Sequence, residues 1–279
     1  MADDCDDEGW RGSSGPGEGH CLGVLPGLRL FDMTCHLSGR HYGGTAYLPA
    51  YQVILGRSGG YLRQVNGVET FADATSCLVA RPGDELRVAH PIGGGDTFTA
   101  VQWDDEVELE LPHGELTVGD AGDLAHRALV AACHRGIDSF ELADRVHHLL
   151  RTLAAQSAPD VPVTARPETW VAHRRLVARA IAVLIGRGYT VGLDDLAAEV
   201  GASAPHLSRI FHTVTGQSLT AYRNRLRVRA VLADLADGAP NLRALAAAYG
   251  FADQSHLTRV MRRHLGRLPS EMQQLVRPS

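Results

Sequence analysis

Two tetrapeptides carry the hydrogen-bonding chemistry of this chain: His206-Leu207-Ser208-Arg209 and, about fifty residues on, His256-Leu257-Thr258-Arg259. A guanidinium presents paired N–H donors that match two acceptors on a guanine edge or the oxygens of a phosphate, and the adjacent hydroxyl adds a donor and an acceptor. Residues outside a core are free to drift, so a Ser/Thr-Arg pair written twice points to a partner that it touches. The repeat is longer than the tetrapeptides. LAAEVGASAPHLSRIFHTVTG (196–216) and LAAAYGFADQSHLTRVMRRHLG (245–266) share Leu-Ala-Ala, a following Gly and a closing Gly, with one extra residue in the second turn.

Other reactive side chains lie in the first half. Cys35, His36, His41, Cys77 and His90 are thiols and imidazoles of the kind that hold zinc. No two stand at a recognised ligand spacing, so structural or incidental roles are expected, no metal is assigned and no cofactor is expected. Cys35 and Cys77 are alternatively redox-sensing thiols, although no lysine stands near to lower a thiol pKa.

The elements that must position the repeated groups follow from spacing. Leu207, Ile210, Phe211 and Val214 recur at i, i+3, i+4 and i+7, as do Leu257, Val260, Met261 and His264, which predicts two helices with one buried stripe each. Shorter helical patterns precede them and end at Gly201 and Gly250, which suit a left-handed cap. Ser203 and Asp253 are N-caps, and Pro205 is tolerated in a first turn. The result is a duplicated helix-turn-helix, a DNA-binding arrangement. Between the copies, residues 218–238 read as one helix with Leu219, Tyr222, Leu226, Val231 and Leu235 inward and Arg223, Arg225, Arg227 and Arg229 alternating with them. Its length, roughly 30 Å, approaches the roughly 34 Å between successive major-groove faces.

These residues resemble the C-terminal DNA-binding domain of the AraC/XylS transcription regulators over residues 170–274. The matching pattern is Leu-Ala-Ala, Ser203, His206-Leu207-Ser208-Arg209, Phe211, Gly216-Gln217-Ser218, Tyr222, Arg227 and Ala230, then Leu245-Ala246, Gly250-Phe251, Ser255, Leu257, Arg259, Gly266 and Pro269. Leu257, Met261 and Leu268 depart from the family's usual types by swaps that alter packing detail. Carried over by position, the resemblance implies groove contacts from Pro205, Ser208 and Arg209 in the first unit and from Gln254, His256, Thr258 and Arg259 in the second. Arg209, Arg259 and Gln254 are the expected base readers, with phosphate contact the alternative for either arginine. The second unit is expected to read more of the sequence than the first.

Charge divides the same way. All 27 basic residues are arginine; residues 160–279 hold 16 of them against 9 carboxylates, whereas residues 1–159 hold 11 against 23. A net charge of −5 therefore conceals a basic C-terminal half that suits nucleic acid. Four segments are expected: a disordered acidic, Gly-rich tail (1–22), a sensing and dimerisation domain (23–156), a Pro-rich linker (157–169) and the DNA-binding domain (170–279). The tail lacks the pattern of a signal peptide, and no apolar run reaches membrane-spanning length. With five cysteines, an odd number, the expected setting is a cytoplasm with reduced thiols.

The first domain reads as short strands, YQVILGR, GYLRQV, SCLVARP, ELRVAHP, TFTAVQW and VELELP, split by turns such as Asn66-Gly67. It resembles the cupin-like sensing domain of AraC regulators over residues 28–111, with Pro82-Gly83-Asp84 as the best local match. The His-x-His cluster of metal-dependent cupin enzymes is absent. Two helices follow, over 123–135 and 138–153; Asp138 with Glu141 forms a capping-box-like start. The stripe of Leu142, Val146, Leu149, Leu150 and Leu153 either packs on the barrel or forms a dimer interface, as in family members that pair through helices here.

The expected fold class is thus α+β with two domains: an all-β cupin-like barrel followed by helices, then an all-α tandem helix-turn-helix joined by a linker helix. The expected function is a transcription regulator that binds double-stranded promoter DNA as a homodimer, modulated by a small-molecule effector in the barrel mouth. Activation through RNA polymerase is what the resemblance implies. A metal- or thiol-dependent sensor regulator is the alternative. A cupin-type enzyme fused to a DNA-binding domain is the remaining one, with Asp84, Glu85 and His90 its nearest candidates. Nothing in the sequence gathers those three, and Pro-Gly-Asp-Glu is accounted for as a turn, so no catalytic residue is assigned.

Overall fold

The computed structural model describes residues 17–105, 107, 111–155, 167–239 and 241–276. Among the described residues nine antiparallel strands come first: β1 (Gly17–Leu25), β2 (Leu28–Cys35), β3 (Ala46–Tyr47), β4 (Tyr51–Val65), β5 (Val68–Asp73), β6 (Ser76–Ala80), β7 (Glu85–Ala89), β8 (Asp96–Trp103) and β9 (Gly114–Thr117). They order as β1-β2-β8-β4-β6-β9, and β5 and β7 pair with the far half of β4, with β3 beyond β7.

β4 is one strand where the sequence suggests two. Its first half pairs with β6 and β8, and from Gly60 on it pairs with β5 and β7. The turn of the chain between the two pairings is made at a register shift between Gly56 and Ser58 and at Gly59, whose φ of 74° only glycine adopts without strain. The Asn66-Gly67 hairpin forms as expected, with both residues at positive φ and Val65 paired with Val68. Residues 17–22, expected within a disordered tail, instead form most of β1, because β2 offers them a full antiparallel partner from Cys35 to Leu28. The strand expected over 107–112 falls largely outside the described residues, and Val107, Leu111 and Pro112 are not in a strand. Cys35, Cys77 and Cys133 are free thiols, whereas Cys21 is disulfide-bonded, which corrects the expectation that all five are reduced.

Helices α1 (Asp120–Arg135) and α2 (Ser139–Ala154) close one face of the sheet. Asp138 caps α2 by accepting from Glu141 N at 2.9 Å, while the Glu141 side chain pairs forward with Arg145 instead of closing a box. The Leu142–Leu153 stripe lies against Leu30, Val53, Leu55, Val101 and Trp103 of the chain's own sheet, and Leu149 and Leu153 are fully buried there. An interface between protomers through this stripe is therefore corrected. Its apolar surface, worth about 1.5–3 kcal/mol per residue, stabilises the first domain itself.

Among the described residues seven helices follow: α3 (Pro167–Gly186), α4 (Leu193–Glu199), α5 (Ala204–Thr215), α6 (Leu219–Ala236), α7 (Leu242–Ala248), α8 (Gln254–Leu265) and α9 (Pro269–Val276). Residues 167–169 begin α3 and are not linker. Two cores form around α6. Its first turns pack with α3, α4 and α5 through Leu184, Leu196, Leu207 and Phe211; its last turns pack with α7, α8 and α9 through Leu245, Leu257, Met261 and Met272. The whole is a two-domain α+β architecture. No helix among the described residues is long and apolar enough to cross a membrane.

Candidate nucleic-acid interface

Each recognition helix starts where its cap requires. Ser203 accepts from His206 N at 3.4 Å and Asp253 from His256 N at 2.6 Å, and both helices end at a left-handed glycine, Gly216 and Gly266. Burying Leu207, Ile210 and Phe211 in α5, and Leu257, Val260 and Met261 in α8, turns the other face of each helix outward. On those faces Pro205, Arg209, Gln254 and Arg259 are exposed, and Ser208, His256 and Thr258 are partly exposed.

Not all of these groups are equally free. His256 Nδ1 accepts from Ala252 N at 3.2 Å, and its ring meets Phe251 edge-on, so this side chain closes the turn before α8. Thr258 Oγ1 donates back to Gln254 O at 2.9 Å. Arg209 is within 3.2 Å of His206 Nδ1. Of the four expected contact residues around α8, Gln254 and Arg259 thus keep the least encumbered donors, and the contrast between the two units is smaller than the residue types suggest.

The arginines of α6 are spent inside the protein. Arg227 donates to Tyr189 O through Nε and Nη2, at 3.1 and 2.6 Å, and lies over the Phe251 ring, tying the turn before α4 to the second unit. Arg223 donates to Val191 O. Arg225 Nε sits 3.0 Å from Asp120 without the direction of a hydrogen bond, an ionic contact. Arg229, 1 % exposed, donates to Ala74 O and Val118 O of the first domain and lies 3.7 Å from Asp123. Tyr222 adds a hydrogen bond to Asp73 Oδ2 at 2.5 Å and shares one with Thr75. His264, at the end of α8, reaches Asp120 at 3.2 Å. Burial opposes ionisation of Asp120, but His264 and Arg225 outweigh it and hold the carboxyl below its usual range. The two helix-turn-helix units are therefore docked on the first domain through α6 and α8. Sequence reasoning assigned these arginines to a helix face and had no signal for their partners, which are backbone carbonyls for Arg223, Arg227 and Arg229 and the carboxylates of Asp120 and Asp123 for Arg225 and Arg229.

In the first domain the proposed chemical residues separate. Cys77 is fully buried among the core residues, and burial pushes its thiol up to about 12, which suppresses thiolate at neutral pH and corrects its redox-sensing reading. His36 and His41 are exposed. Asp84 accepts from Arg81 N, Asn66 Nδ2 and His113 Nε2, which together hold its carboxyl low against the effect of burial, so it organises a turn. Glu85 belongs to the same turn through its N–H to Asn66 Oδ1. Cys35 and His90, by contrast, come together, and with them a residue not foreseen: one donor atom each of Cys35, His90 and Asp96 lies within 4.8 Å of the other two. His90 Nε2 and Asp96 Oδ1 are 2.6 Å apart.

A cavity of about 480 Å³ lies between β5, β6 and β9, helix α3 and the start of α6, lined by Val68, Phe71, Leu116, Trp170, Val177 and Ile181 among others, together with Arg174 and Arg175.

Comparison with known proteins adds the following. Residues 196–274 match a family model described as a helix-turn-helix domain. No curated protein matches the chain. Among solved structures, an AraC-type DNA-binding-domain transcriptional regulator from Chromobacterium violaceum is similar at 23% identity over 39% of this chain and 98% of that one, with a TM-score of 0.36. ToxT from Vibrio cholerae is similar at 11% identity over 90% of this chain and 99% of that one, with a TM-score of 0.35. A cupin 2 conserved barrel domain protein from Salinispora arenicola is similar at 16% identity over 32% and 77%, with a TM-score of 0.28. With its duplicated motif, two capped recognition helices and matched model, this chain carries a helix-turn-helix domain behind an antiparallel sheet domain.

Proposed function

We propose that the chain is a sequence-specific transcription regulator that engages promoter DNA with α5 and α8, and that a signal received by the first domain modulates this engagement. The observation that carries the reading is the pair of helix-turn-helix units mounted at the two ends of α6, each with an outward arginine. At 18 residues α6 spans about 27 Å, which suits two successive major-groove visits on one face of a duplex. Pro205, Ser208 and Arg209 form the first contact set, and Gln254, His256, Thr258 and Arg259 the second. The contacts from α6 and α8 to Asp73, Ala74, Val118, Asp120 and Asp123 supply the route by which a ligand at the first domain biases the units. The cavity between the barrel and α3 supports an organic effector at that junction rather than in the barrel mouth. A cytoplasmic homodimer that activates through RNA polymerase completes the reading, with the dimer contact placed elsewhere than on the α2 stripe.

The test is genome-wide mapping of bound DNA, followed by binding measurements on a recovered fragment and its single-base variants. Arg259→Ala is expected to lose about 1–3 kcal/mol and to relax preference at one base position. A uniform loss across all variants assigns Arg259 to phosphate, and binding that ignores sequence and falls uniformly with salt defeats the reading of specific regulation.

A further inference from the structure

We propose that Cys35, His90 and Asp96 form a divalent metal site of the zinc class, with three protein ligands and an open fourth position. The residues come from three different places in the sheet: the end of β2, the position just after β7 and the first residue of β8. Their donor atoms lie within 4.8 Å of one another, close enough for one ion to reach all three with small side-chain shifts, since zinc bonds of about 2.0–2.3 Å place its ligands a little over 3 Å apart. Thiolate, imidazole and carboxylate are the set that a borderline-soft ion prefers over magnesium or calcium, which take oxygen ligands. Two anionic donors also balance a dication. His90 and Asp96 are 4 % and 5 % exposed, so the pocket is desolvated, while the half-buried Cys35 leaves a way in for the ion.

The chain around the site is shaped to converge there. Gly93, Gly94 and Gly95, at φ 68°, 80° and 70°, bend the five residues between His90 and Asp96 back on themselves. A Cβ on Gly95 would collide with the Cys35 carbonyl oxygen, and one on Gly59 with the Gly95 carbonyl, so glycine is required for this approach. Tyr61 stacks on His90 at 5.5 Å and fixes the plane of the imidazole. No ligand spacing is legible along the chain because β2 and β8 are neighbours in the sheet, Cys35 pairing with Asp96, while about sixty residues separate the two.

The same glycine loop faces the DNA-binding domain. Ile92 and Gly93–Gly95 line a cleft opposite Tyr189, Leu226, Ala230 and Asp234, and Ile92 Cγ2 lies 3.4 Å from where a Cβ on Gly186 of α3 would sit. An ion bound to residues at both ends of this loop restrains it against α3 and α6. This regulatory consequence rests on the reading of the chain as a transcription regulator; the metal site itself does not.

The experiment uses the full chain, stripped with a chelator, reloaded with zinc and assayed for metal per chain, in parallel with cobalt loading read by absorption. One ion per chain and a thiolate-to-cobalt charge-transfer band are expected. Cys35→Ser should abolish the band and weaken zinc binding by at least about tenfold, and Cys133→Ser should change neither. Circular dichroism of Cys35→Ser verifies folding, and the band in the unsubstituted protein stands without any variant. A chain that retains no zinc or shows no thiolate band overturns the proposal, as does Cys133→Ser losing as much as Cys35→Ser. DNA affinity of the stripped and loaded chain is measured on the mapped fragment. Metal binding with no DNA binding in either form counts against the regulator reading alone, and DNA binding with no metal counts against the site alone.

Discussion

Removing the Arg229 guanidinium is expected to uncouple the two domains. Arg229→Met retains the length and apolar stem of the side chain, so the packing of α6 is largely preserved. The substitution strands two carbonyl acceptors, Ala74 O and Val118 O, in a region where Arg229 itself is 1 % exposed. It also removes one of the two cations beside Asp123, leaving Arg127 at 3.1 Å as its ion-pair partner. An unpaired buried polar group costs about 1–3 kcal/mol, and breaking a buried pair from one side about 3–5 kcal/mol. Because Asp123 retains Arg127, and opening the junction lets water reach the carbonyls, the net loss is expected near the lower end of the second range, about 3 kcal/mol. Trp103 in the first domain and Trp170 in the second report on urea unfolding, each in a variant with the remaining tryptophans replaced by Phe. In the parent they should share one transition, and in Arg229→Met the transitions should separate, with faster amide exchange at Ala74 and Val118. A loss below about 1 kcal/mol with coincident transitions and unchanged exchange would refute the account of Arg229 as the tie between domains.

Two further outcomes follow from buried groups. Leu149→Asp places a carboxylate at a fully buried point of the α2 contact, so it should unfold the first domain, and Leu149→Ala should cost about 2–5 kcal/mol by denaturant titration. A soluble Leu149→Asp monomer that melts like the parent would restore the stripe as an interface between protomers. His126 is 1 % exposed, and burial, reinforced by Arg57, Arg127 and Arg229, pulls its pKa well below 6.5, so it is neutral in the folded state. The unfolded chain then binds more protons below about pH 6.5, and stability falls as pH drops through that point, with a limiting slope of about 1.4 kcal/mol per pH unit. His126→Gln should remove this slope, whereas parallel stability profiles for the two proteins between pH 7 and 5 would contradict a neutral buried imidazole.

The parts of this protein that its sequence makes legible are those held by short-range interactions. Helix periodicity, the caps at Ser203 and Asp253, the left-handed glycines and the Asn66-Gly67 turn each involve residues within about four positions. Duplication made the two helix-turn-helix units legible as a pair. The bend in β4 escaped because a glycine within an apolar run reads equally as a break between strands, and β1 escaped because its first half, Gly17 to His20, is glycine and polar residues that take their order from pairing with β2.

Sequence by itself therefore determined the two helix-turn-helix units and the helix between them, the faces that α5 and α8 turn outward, and the division of charge between the halves. Only the tertiary structure decided what the remaining polar groups do. The α2 stripe is satisfied within its own chain, Arg225 and Arg229 of α6 end on carbonyls and carboxylates over a hundred positions away, and Cys35 meets Asp96 across a strand pairing. The physical reason is common to all three. Which acceptor a buried donor finds, or which apolar face covers another, is settled by how sheets and helices close on each other, and residue type and local spacing carry no record of that closure.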